Sequence, residues 1–165
     1  VSTFVNTLHV LAAVLLIGPL VLAPFLGQRA IRRRSEDGVR AAANQLLRFG
    51  AGSVLVAGLG VGAVFAGDEW TMATPWVLIA STLYVVALGL IGLYAIPALR
   101  KASHLVAEAT VEPAEVPAGT DTEAQPVPHT AEKLQTISAR VAGAGWLLLV
   151  AFTAITILMA VRPFE

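Results

Sequence analysis

Three side chains in this sequence combine a type and a position that could do chemistry: His9, Met72 and Met159. His9 lies in an apolar run about 8 Å in from Phe4 along a helix, and Met159 lies about 5 Å in from Arg162, at matching depths of the same outer leaflet. Met72 falls in the loop on that side. A neutral imidazole with two thioethers is a soft donor set that could hold Cu(I), and one histidine with one methionine could ligate haem as in c-type cytochromes. Against this, a histidine near an interface usually bonds a backbone carbonyl or a headgroup, and a terminal methionine usually packs. No second apolar segment carries a histidine, which argues against bis-histidine haem. His104 and His129 fall in a polar stretch and read as solvated. The residues therefore assign no catalytic, cofactor or metal role outright, and His9, Met72 and Met159 stand as metal candidates.

Other chemistries lack their residues. Cysteine is absent, which removes disulfides, thiolate metal sites and cysteine nucleophiles. No Asp, Glu, Lys or Arg falls in the central part of any apolar segment, and ion-coupled transport needs such groups to carry charge across a bilayer. A phosphate loop, a nucleophile beside a base, a carboxylate pair and a metal-binding helix motif are all missing. A non-catalytic protein is expected.

The elements that would position these residues are apolar helices. Hydrophobic residues make up 56% of the 165 and charged residues 13%, with a mean hydropathy of +0.75. Lipid is the expected solvent for most of such a chain. The first apolar run, Phe4 to Gly27, is long enough to cross a hydrocarbon core of about 30 Å. Nothing basic precedes it, and Arg29, Arg32, Arg33 and Arg34 follow, the reverse of a cleaved signal peptide. It reads as a retained span, residues 4–27, with its N-terminus outside. Pro19, after Gly18, predicts a bend. Three further spans are expected at about 45–66, 76–99 and 136–161.

The polar punctuation sets the sidedness. Gln28 to Asn44 reads as a connection carrying Arg29, Arg32, Arg33, Arg34 and Arg40 against Glu36 and Asp37, a patch suited to anionic headgroups such as cardiolipin or to an acidic protein surface. Gly67 to Pro75 holds Asp68 and Glu69 without a basic residue, between Trp70 and Trp76 at headgroup level, and Thr74 before Pro75 reads as a helix cap. Pro97, Arg100 and Lys101 are expected to close the third span. Residues 102–130 are acidic and proline-rich and predict a flexible cytoplasmic loop with a helical start through Ala109. Of the eleven Lys and Arg, only Arg162 then lies outside. The expected architecture is all-α: one four-helix membrane bundle with both termini on the outer side. Small residues mark its close helix contacts, within the bundle or against a partner: Gly58, Gly62 and Ala66, then Gly89 and Gly92 beside Tyr84, then Ala139 and Gly143.

The LHVLAAVLLIGPLV pattern of the first span, the arginine loop, GDEW before the third span and the four-helix layout resemble the small integral membrane proteins of high-GC actinobacteria. Among them the chain is similar to the accessory factors of the cytochrome bcc and terminal-oxidase respiratory supercomplex, everywhere except the proline-rich loop. That resemblance implies a non-catalytic plasma-membrane subunit that packs against redox subunits and leaves electron transfer to them. Its partners would be lipids and respiratory subunits and no nucleic acid, with bound phospholipid or cardiolipin in place of a cofactor. The LHVL segment is also similar to that of copper-resistance membrane proteins and membrane-bound protoporphyrinogen oxidases, whose further intramembrane histidines are missing here. The alternative expectation is a small membrane protein that holds haem or copper through His9 at the outer leaflet.

Overall fold

The computed structural model describes residues 2–66, 71–111 and 128–161, nearly all of them helical. Helix α1 spans Ser2–Arg32 and α2 spans Glu36–Phe65. Helix α3, Pro75–Gly89, continues through a π-helical turn at Leu90–Ala95 into α4, Ile96–Val111, and α5 spans Pro128–Val161. Four stretches are long and apolar enough to cross a membrane: Phe4–Arg32, Glu36–Phe65, Pro75–Ala109 and Thr130–Val161. Their outward faces are apolar as well, with Leu93 86% exposed and Phe4, Leu55 and Phe65 similarly open. A bundle dissolved in water would turn such residues inward.

The helices alternate in direction. His9 near the start of α1 meets Val56 towards the end of α2, while Gln45 near the start of α2 donates to the Pro19 carbonyl at 2.9 Å. The α5 glycine Gly145 sits against Pro24 and Phe25, and Leu99 of α4 covers Gly27. Leu20, Val39, Leu46, Leu99, Val106, Val141 and Leu148 form the buried centre together with Ala23, Ala42, Ala95, Ala102 and Ala144. Helix α1 runs unbroken through Pro19 and Pro24.

Several helices run past the spans the sequence predicts, α5 among them, which begins at Pro128 rather than near 136. The expected connection from Gln28 to Asn44 is mostly helix, with a turn of only Arg33, Arg34 and Ser35 between α1 and α2. Its hydrogen bonds explain the economy. The Ser35 N–H donates to Ala30 and the Arg34 N–H to Ile31, both at 3.0 Å, with Arg34 in the left-handed region at φ 52°. These are the two bonds of a Schellman stop, with arginine where glycine usually stands. Ser35 then caps α2 by accepting the Gly38 N–H at 3.2 Å. Arg29 and Arg32 in the last turn of α1, and Glu36 and Asp37 in the first turn of α2, complement the two helix dipoles. Glu36 also pairs with Arg40 one turn on.

The third apolar helix does not close at Pro97 but runs on to Val111. The Ile96 N–H reaches back five residues to the Ile91 carbonyl, immediately before Pro97, which has no N–H to give. The wide turn thus falls where the ladder is already short of a donor. Thr74 holds the N-cap position before Pro75, yet its hydroxyl accepts from the Thr71 N–H at 3.0 Å rather than from the helix. The acidic, proline-rich stretch 112–127, together with Asp68, Glu69, Trp70 and Arg162, lies outside the described residues.

Candidate functional site

The site is built around His9, which is 8% exposed. Its Nδ1 lies 2.8 Å from the carbonyl oxygen of Val56. A carbonyl only accepts, so Nδ1 carries the proton and donates, and in the neutral ring Nε2 holds the lone pair. The ring is seated on Gly60, one helical turn beyond Val56, where an added Cβ would stand 2.9 Å from its Cε1. Gly60 therefore lets α1 and α2 close over the imidazole.

His9 lines a cavity of about 280 Å³ at the end of the bundle opposite the Arg33–Ser35 turn. All four long helical stretches contribute: α1 through His9 and Ala13, α2 through Val56 and Gly60, α3 and the turn before it through Met72, Trp76 and Tyr84, and α5 through Phe152 and Met159. Both methionines of the chain are thus in its wall. No charged side chain among the described residues lines it. The Tyr84 hydroxyl lies 3.1 Å from Ser53 Oγ, which itself donates to the Gly50 carbonyl at 2.7 Å, so Tyr84 is the donor to Ser53. Trp76 is 7% exposed and forms part of this wall. Among the described residues no three His, Cys, Asp or Glu side chains converge on one point.

The small residues singled out in the sequence lie elsewhere. A Cβ at Gly58, Gly62, Gly89, Gly92 or Gly143 would meet nothing within 4 Å, so these glycines are not the contact points of the bundle. Ala66 and Ala139 are exposed too. Among the described residues, the glycines whose added Cβ would stand within 3.3 Å of another side chain are Gly27, Gly38, Gly60 and Gly145. Spacing alone could not select them, because a four-residue interval says that two residues share a helix face and not which face turns inward. The signal for Gly60 was its interval from Val56, whose partner in α1 no local pattern reveals.

The arginines occupy the other end. Arg29, Arg32, Arg33, Arg34 and Arg40 are all exposed. Arg32 and Arg34 border a cleft of about 410 Å³ between the end of α1 and the start of α5, whose other wall includes Gln135, Ser138 and Ala139. Two guanidinium groups beside an amide and a hydroxyl can bind a phosphate group. His104 is exposed, and the side chain of His129 lies outside the described residues. Set beside known protein families, curated proteins and solved structures, the chain matches none of them.

Proposed function

We propose that this chain is a multi-pass protein of the bacterial plasma membrane, with both termini outside, serving as a non-catalytic accessory or assembly subunit of a respiratory complex of cytochrome bcc and terminal oxidase. The observation that carries this reading is the outward glycine face of α2. Gly58 and Gly62 are open, with nothing of the bundle over either one. Glycine costs helix stability, and in a bilayer it repays that cost by letting another backbone approach. A face of this kind left uncovered by the chain's own helices suits the helix of another subunit. The resemblance to supercomplex accessory factors supports the identity of that subunit. The concentration of basic residues at the Arg33–Ser35 end supports placing that end in the cytoplasm, where its arginine cleft would meet anionic headgroups.

The test is affinity purification of the tagged chain in mild detergent, with mass spectrometry of what accompanies it. Cytochrome subunits in fixed ratio are expected with the natural sequence. They should be lost from a Gly58→Leu, Gly62→Leu double variant whose helical content and melting temperature are unchanged. A chain that elutes alone, or a double variant that keeps its partners, refutes the proposal.

A further inference from the structure

A different observation carries a binding site, independently of any partner subunit. Both methionines of the chain and His9 line the cavity formed by the ends of four helical stretches. We propose that this cavity binds Cu(I) through His9 Nε2 and the thioether sulfurs of Met72 and Met159.

The donor set decides the ion. With Nδ1 donating to Val56, Nε2 is the one ring nitrogen that can ligate, and the bond orders the ring for it in the way outer-shell carbonyls order metal-bound histidines. Gly60 against the edge of the ring restrains it further. The two thioethers are soft and uncharged, on side chains with three rotatable bonds that can draw in around an ion. Hard divalent cations need oxygen ligands and compensating charge, and no carboxylate among the described residues lines the cavity. A monovalent soft ion suits a neutral nitrogen and sulfur set inside apolar walls. Binding is ligand exchange at Cu(I): the three new bonds form as those to the chelator or solvent that carried the ion break, with no change of oxidation state.

The experiment uses the full chain purified in detergent, titrated with Cu(I) against a colorimetric chelator and examined by X-ray absorption. One Cu(I) per chain is expected, with both nitrogen and sulfur neighbours. Met72→Leu and Met159→Leu keep the side-chain volume, so each should leave the melting temperature unchanged while weakening Cu(I) at least tenfold, and the double variant should bind no more than a detergent blank. His9→Gln should likewise abolish binding. The proposal is overturned if the natural chain takes up no Cu(I) above the blank, if the double methionine variant binds as the natural chain does, if sulfur is missing from the absorption spectrum, or if equimolar Zn(II) displaces the ion.

Discussion

One methyl group at position 60 would stand 2.9 Å from the His9 ring, closer than real Cβ contacts come, and the ring has no flexible end with which to yield. Gly60→Ala should therefore push His9 away from Val56 and cost about 1–3 kcal/mol, the usual range for overpacking. The same change at Gly58 or Gly62 meets open space and should be neutral or stabilise the isolated chain by up to about 1 kcal/mol through helix propensity. Melting curves in detergent followed by circular dichroism would separate the cases, and equal effects at all three positions would refute the packing described for His9. His9, Met72 and Met159 were marked by type and depth, and the structure places all three on one cavity. Of the two contacts the GxxxG pattern allowed, within the bundle or against a partner, the bundle itself makes none at Gly58 or Gly62, while Gly60, outside that pattern, is the one beneath the imidazole. Tyr84 was marked as a packing position, and its hydroxyl proves to anchor α3 to the buried Ser53 of α2.

The helices themselves follow from uninterrupted apolar stretches, and that part of the sequence was plain to read. Their ends were not, since the last turns of α1 and the first turns of α2 are polar and were counted as a loop. What makes them helical is local: a Schellman stop, a serine cap and charges of the right sign at each terminus. This arrangement has one weak point, Arg34 at φ 52°. A left-handed backbone costs a residue with a Cβ roughly 1–2 kcal/mol, and glycine escapes most of that. Arg34→Gly should accordingly raise the stability of the bundle by about 1 kcal/mol, even though it removes a side chain from the cleft beside α5. Ser35→Ala should lower it by about 1 kcal/mol through loss of the Gly38 cap. Both shifts would be read as changes in melting temperature under one detergent condition, and opposite signs are the decisive outcome. The π turn at Leu90–Ala95 had no comparable signature, because Pro97 marks a missing donor without saying whether the helix ends or widens there.

On the scale of the whole molecule, two ends of contrasting chemistry face each other along the bundle axis. One holds the arginine turn and its cleft; the other holds the cavity with His9 and both methionines. Charge placement along the chain was enough to anticipate the alternation of the four helices. The cavity was beyond such reading, since it exists only where α1, α2, α3 and α5 bring their ends together. The proposed sidedness puts the cavity towards the outer face and the arginine cleft in the cytoplasm. The absence of cysteine makes this directly testable, because any introduced thiol is the only one in the chain. Ala73 precedes α3 at the cavity end and Ala131 lies near the start of α5 at the arginine end, and both are exposed. A membrane-impermeant maleimide should label Ala73→Cys on intact cells, and should label Ala131→Cys only after the membrane is opened. The reverse pattern would place ten of the eleven basic residues outside and turn the candidate copper ligands towards the cytoplasm, so the proposed topology and the headgroup role of the cleft would fall together. The Cu(I) site would survive that result, because its ligands are brought together by the bundle alone, but it would then draw its ion from the cytoplasmic side.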